Sequence, residues 1–113
     1  MKTITVYHGS VNEIENFRSH VIYATVHKMD ALQYAKMIEL NGEAFADMDS
    51  DGGFLYTATI DADMIEMEDD FDALDCGGYS NPDAWSKPVV MNEESGYMFI
   101  KNAASLAWSK IAS

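Results

Sequence analysis

Alternation of β-branched and polar residues opens the chain and predicts its first strand. Thr3, Ile4, Thr5 and Val6 follow one another directly, which is the period-two pattern of a half-buried strand. Similar alternation, or a short apolar run, predicts four more strands. They cover residues 20–26, 54–60, 87–91 and 96–100.

One main helix is predicted between the second and third strands. Asp30 and Gln33 have the spacing of a capping box, and Asn41-Gly42 provides a glycine suited to a left-handed helix end. The apolar positions between them fall on one helical face: Leu32, Tyr34, Ala35 and Ile38. A short final helix is predicted to begin at Asn102. Because strands and helices mix without repeated βαβ units, the predicted fold class is α+β.

Length and composition indicate one globular domain. The chain has 113 residues, of which 48% are hydrophobic, enough for one modest core. No apolar run is long enough for a membrane span, and the N-terminus leads into a strand rather than a signal core. The single cysteine, Cys76, provides no disulfide framework. These features predict a cytoplasmic protein.

The net charge of −12 is concentrated in the middle of the chain. No Lys or Arg lies between Lys36 and Lys87, whereas acidic residues recur from Glu43 to Asp83. Such a surface repels phosphate backbones, so we expect no direct nucleic-acid binding. It attracts basic proteins, including those whose grooves hold nucleic acid. The alternative interpretation is a solvated surface that keeps the protein soluble.

A histidine and a glycine follow the first strand pattern. Gly9 permits a backbone bend with positive φ and lets a ligand approach the main chain. His8 is therefore a candidate for holding a polar small molecule, the alternative being an ordinary histidine in a turn.

An acidic segment matches the beginning of a calcium loop. Residues 47–52 read D-x-D-x-D-G, in which alternating carboxylates converge on a hard cation. The twelfth position of that loop requires a bidentate glutamate and here is Ala58. We therefore predict no metal site and interpret the segment as an acidic loop.

Four segments in the first third of the chain follow one another in a distinctive order. They are Tyr7-His8-Gly9-Ser10, a loop with Ile14 and Phe17, Ile22-Tyr23-Ala24-Thr25, and Ala31-Leu32-Gln33-Tyr34-Ala35. This order resembles the N-terminal half of small ADP-ribosyltransferase domains, a family that includes phage-encoded anti-CRISPR transferases. The resemblance extends more weakly to residues 54–60 and 94–102. It implies a split sheet with the main helix after the second strand.

The resemblance also implies a set of catalytic residues. The family's His-Tyr-Glu signature falls on His8, Tyr23 and Glu94, with Glu93 as an alternative for the third position. The histidine would hydrogen-bond a ribose of NAD, and the tyrosine would stack on the nicotinamide ring. The glutamate would hold a ribose hydroxyl and stabilise the cationic sugar as nicotinamide leaves.

NAD is the cofactor that this resemblance implies. Gly9 and Ser10 would bind it beside His8 and Tyr23, and Arg18 would offer its guanidinium to the pyrophosphate. The imidazole and the phenol are then expected to line one hollow, in a cleft between two small sheets.

Two functions are consistent with these residues. The first is mono-ADP-ribosyl transfer from NAD to a macromolecular target, as a phage-encoded inhibitor of a host defence or nucleic-acid-processing protein. The alternative is a non-catalytic acidic inhibitor that mimics nucleic acid and binds a basic protein surface.

Overall fold

A seven-stranded sheet forms the centre of the molecule. The structure is a computed structural model that describes residues 2–17, 22–49, 52–67 and 86–111. Its helix α1 spans Lys28–Ala35, and its strands are β1 Thr3–Ser10, β2 Ile22–Thr25, β3 Met37–Leu40, β4 Glu43–Ala46, β5 Phe54–Asp61, β6 Ile65–Met67, β7 Val89–Met91, β8 Tyr97–Ile100 and β9 Ser109–Ile111. The α+β class and the helix after the second strand are confirmed.

The sheet has the strand order β6-β7-β8-β2-β1-β5-β9, and β3 and β4 form a separate two-stranded sheet. Strand β1 pairs along its whole length with β5, from Thr3↔Asp61 to Ser10↔Phe54. One face of the large sheet carries the main apolar cluster, which includes Val6, Ile60, Met98 and Ile100. These side chains are at most 2% exposed, so this face is the hydrophobic core.

Helix α1 covers the opposite face of the sheet. Its buried residues are Ala31 and Ala35, whose small side chains let the helix approach closely. A Cβ atom added at Gly9 would lie 1.8 Å from the backbone oxygen of Ala31. The predicted bend at Gly9 is wrong, because β1 continues through it to Ser10. Gly9 is required for close packing between strand and helix.

The predicted boundaries of the main helix are wrong at both ends. The N-cap residue is His27, and no side-chain cap bond is present. The helix ends at Ala35, and the chain then enters the β3–β4 hairpin. Asn41 and Gly42 have φ values of 55° and 81°, which suit a tight hairpin turn. Asn-Gly is a signal for such turns as well as for helix ends.

The predicted C-terminal helix is also wrong. A 3-10 turn, Ala103–Ser105, follows Asn102, and β9 then pairs with β5 through Leu55↔Ile111. The strands predicted at residues 54–60, 87–91 and 96–100 are confirmed with small changes of boundary. Cys76 lies outside the described residues. No helix in the described parts of the chain is long and apolar enough to cross a membrane.

Replacing Gly9 by alanine is expected to destabilise the fold. The new methyl group would overlap the α1 backbone, which cannot rotate away, so the loss is expected at the upper end of the usual overpacking range, about 3 kcal/mol or more. Gly42→Ala is the matched control and should lose less, because nothing lies within 4 Å of its added Cβ and only the positive φ opposes it, at roughly 1–2 kcal/mol. Urea unfolding measures both variants. Equal losses would contradict the proposed strand–helix contact.

Candidate functional site

The His8 imidazole connects β1 and β2. In the ladder between these strands, Tyr7 pairs with Thr25. The His8 Nδ1 atom lies 2.6 Å from the carbonyl oxygen of Tyr23, which precedes Thr25 by two residues in β2. A carbonyl oxygen can only accept a hydrogen bond, so Nδ1 donates. In the neutral ring Nε2 is then the acceptor nitrogen. A side chain therefore supplies the cross-strand bond at this point.

A cavity of about 320 Å³ lies beside this connection. Its described lining consists of residues 7–9 of β1, residues 23–25 of β2, Ala31 and Tyr34 of α1, and Phe99 of β8. We call it the aromatic cavity. Its volume is at the lower end of the range for small-molecule sites, which suits one ring system with its attached sugar rather than a whole dinucleotide.

The Tyr23 ring is the centre of the aromatic wall. Its centroid lies 5.7 Å from that of Tyr34, 5.3 Å from that of Tyr97 and 5.2 Å from that of Phe99. Ring faces at these spacings offer stacking surface to a flat ligand and attract a cationic group. The aromatic cavity can therefore bind a planar ring, and a positively charged ring better than a neutral one.

The His8 ring packs in a different cluster. Its centroid lies 5.7 Å from that of Phe17 and 6.3 Å from that of Trp108, and both of these residues pack against the core cluster. Successive side chains of a strand point to opposite faces. With Tyr7 paired to Thr25, His8 belongs to the core face and Tyr23 to the α1 face. The expectation that the imidazole and the phenol line one hollow is therefore wrong, because the two rings point to opposite faces of the sheet. Both residues are among the described lining of the aromatic cavity, which is bordered by the large sheet and α1 and not by two small sheets.

The other residues named from the sequence lie in three different places. Gly9 lines the aromatic cavity. Ser10 is absent from its described lining, and the Ser10 hydroxyl accepts a hydrogen bond from the backbone of Asn12. Glu93 and Glu94 are exposed in the turn between β7 and β8 and are not among the described lining residues. Arg18 lies outside the described residues.

The carboxylate beside the aromatic wall belongs to Asp30. Burial, the charge of Asp30 and the neighbouring Tyr34 raise the pKa of Tyr97 above its ordinary value, and a hydrogen bond to Asp30 adds to the effect. None of the described lining residues is Asp, Glu, Lys or Arg. Sequence reasoning assigned Asp30 to helix capping and did not select Tyr97 or Phe99. The available signal was that Tyr97 and Phe99 are two residues apart in a predicted strand, so their rings lie on the same face of the sheet.

The described part of the acidic loop contains a local hydrogen bond. The Asp47 carboxylate accepts a hydrogen bond of 3.3 Å from the backbone of Asp49. Ser50 and Asp51 lie outside the described residues. Within the described ranges, no group of three or more His, Cys, Asp or Glu side chains is placed to hold a metal ion.

Comparison with known proteins returned no relative. No family model, no curated protein and no solved structure matches the chain.

The bond between His8 and the Tyr23 carbonyl predicts a single tautomer. Because the carbonyl oxygen requires a donor, neutral His8 is expected to carry its proton on Nδ1 and to have an unprotonated Nε2. Long-range ¹H–¹⁵N correlation NMR above the imidazole pKa distinguishes the two nitrogens. His27, which is exposed, serves as the reference ring. A proton on Nε2 of neutral His8 would contradict the assigned bond.

Asp30→Asn is expected to lower the pKa of Tyr97 towards its ordinary value of 10.0. The raised pKa means that the folded state holds the phenol proton more tightly than the unfolded state. This contribution to stability is complete below the unfolded-state pKa and is lost as pH rises through the folded-state pKa. Ultraviolet phenolate titration, with Tyr97→Phe to identify the signal, measures the change. An unchanged titration would show that Asp30 does not act on Tyr97.

Proposed function

We propose that this chain is an ADP-ribosyltransferase-like protein that binds NAD with the nicotinamide ring in the aromatic cavity. One observation carries the proposal. Residues His8, Gly9 and Tyr23, which belong to two strands separated in sequence, border a single cavity of ligand size. These are three of the positions at which the sequence resembles the family.

The chemistry of the cavity supports a nicotinamide ring. In NAD this ring is flat and positively charged, and the faces of Tyr23, Tyr34 and Phe99 supply the π surface that attracts such a cation. The His8 ring lies on the core face, so its contribution to this site is the hydrogen bond to the Tyr23 carbonyl, which holds the backbone of the aromatic wall.

Transfer would proceed by cleavage of the bond between ribose C1′ and the nicotinamide nitrogen. The electron pair of that bond leaves with nicotinamide, and a nucleophile on the target forms a new bond to C1′ and releases its proton to solvent. A carboxylate near C1′ stabilises the developing positive charge. In this chain, the residues to test for this role are Glu94, Glu93 and Asp30. We propose that the target that accepts ADP-ribose is a basic protein.

A non-catalytic acidic inhibitor is the second candidate. It is favoured by the absence of a carboxylate from the described lining of the cavity and by the net charge of −12. In this case the surface binds a positively charged protein region and the cavity has no catalytic role. The two candidates differ in whether NAD binds and whether it is turned over.

Calorimetric titration with NAD is expected to show binding that depends on the cavity. Tyr23→Leu removes a stacking face and should weaken binding about three- to tenfold. His8→Ala removes the bond that holds the Tyr23 carbonyl and should weaken binding by a similar factor. Matched controls are His27→Ala and Phe45→Leu, both exposed residues outside the described lining, which should bind NAD as the unaltered chain does. Absence of binding at millimolar NAD would contradict the proposal and favour the acidic inhibitor.

Turnover of etheno-NAD is expected to identify the carboxylate. Among Glu94→Gln, Glu93→Gln and Asp30→Asn, the variant that loses turnover while it retains NAD affinity marks the residue that stabilises the reacting sugar. Binding without turnover in the unaltered chain would instead support a domain that binds NAD but does not transfer ADP-ribose.

A further inference from the structure

The β3–β4 hairpin carries an exposed apolar face. Its register pairs Ile38 with Phe45 and Leu40 with Glu43. Because alternate residues of a strand share a face, Ile38, Leu40 and Phe45 lie together on one side. Their side chains are 39%, 59% and 44% exposed. We call these three side chains the hairpin face.

The hairpin is separate from the large sheet. Strands β3 and β4 pair with each other and with no other described strand. Its connection to the body includes a backbone hydrogen bond of 3.0 Å from Asp47 to the carbonyl of Lys36. A lone two-stranded hairpin is marginally stable in water. An exposed apolar face does not add to its stability, because hydrophobic stabilisation requires burial. Contiguous exposed apolar residues with polar neighbours are typical of protein–protein contacts.

The segment that carries the hairpin face is acidic. Glu43 lies on the same side as Leu40 and Glu39 on the opposite side, and Asp47 and Asp49 follow the hairpin in the sequence. Lys36, the basic residue nearest to them in the sequence, is 6% exposed and hydrogen-bonded to the Gly52 carbonyl. A second copy of the chain would bring like charges together, which is unfavourable. The complementary occupant has apolar side chains flanked by Lys or Arg.

We propose that the hairpin face docks a basic, amphipathic segment of a partner protein. The apolar side chains supply the area removed from water, and Glu43 with the other acidic residues of the segment selects positively charged partners. This inference deepens the proposed function by locating where a basic target binds, and it does not depend on NAD binding.

The test uses a synthetic helical peptide of leucine and lysine with all leucines on one face. The full-length chain is expected to bind it by fluorescence anisotropy, with affinity falling as salt is added. Ile38→Thr combined with Phe45→Thr removes apolar area but keeps β-branched residues in the strands. We expect this pair to weaken binding about tenfold or more. Glu39→Gln combined with Glu43→Gln should reduce the salt dependence.

Matched controls separate this surface from general charge attraction. Val11→Thr combined with Met67→Thr alters two other exposed apolar residues, 52% and 48% exposed, and should bind as the unaltered chain does. A leucine–glutamate peptide of the same pattern should not bind. Circular dichroism confirms that each variant is folded.

Three outcomes would overturn the inference. The first is equal binding by the Ile38 and Phe45 variant and the unaltered chain. The second is equal binding of the leucine–glutamate peptide. The third is a dimer in sedimentation experiments that the same two threonine substitutions abolish, because the hairpin face would then belong to a second copy. Failure of NAD binding leaves each of these results unaffected.

Discussion

The hydrogen bond from the His8 imidazole to the Tyr23 carbonyl determines how the two halves of the large sheet meet. On one side of it, β1 pairs with β5 along eight residues, and on the other side β2 pairs with β8 along four. Strands β1 and β2 pair with each other at Tyr7↔Thr25. The next connection between these two strands is the hydrogen bond from the His8 side chain to β2. Space beside this junction, closed by α1, forms the aromatic cavity. The same bond therefore contributes both to the joining of the two halves and to the position of Tyr23 in the wall of the cavity.

The charge distribution gives the molecule two different surfaces. The described lining of the aromatic cavity contains no Asp, Glu, Lys or Arg. The hairpin, in contrast, carries exposed apolar side chains in an acidic segment of the chain. A strongly acidic chain opposes dianionic phosphates, so binding of NAD would rely on stacking and on the cationic ring. The same acidity favours a basic protein as the second partner. A ligand site and a docking surface can then operate on one small domain.

Strand patterns were predictable from the sequence because alternation is a local signal. It located β1, β5, β7 and β8, and the motif around His8 and Tyr23 selected two residues that border one cavity. Local signals failed where one pattern suits two structures: Asn41-Gly42 fits both a helix end and a hairpin turn, and residues 109–111 join a strand because β5 offers a free edge. The face to which each ring points depends on strand register, which the sequence does not reveal. Asp30 and Tyr97 come together through the packing of α1 on the sheet, which is equally non-local.

Chemical-shift mapping with NAD tests the central claim most directly, because it reports the location of binding as well as its occurrence. Addition of NAD to isotope-labelled protein is expected to shift resonances of Gly9, Tyr23, Tyr34 and Phe99, which line the aromatic cavity, and to leave the hairpin resonances of Phe45 unchanged. Shifts confined to the Phe17 and Trp108 cluster, or no shifts at millimolar NAD, would contradict the account.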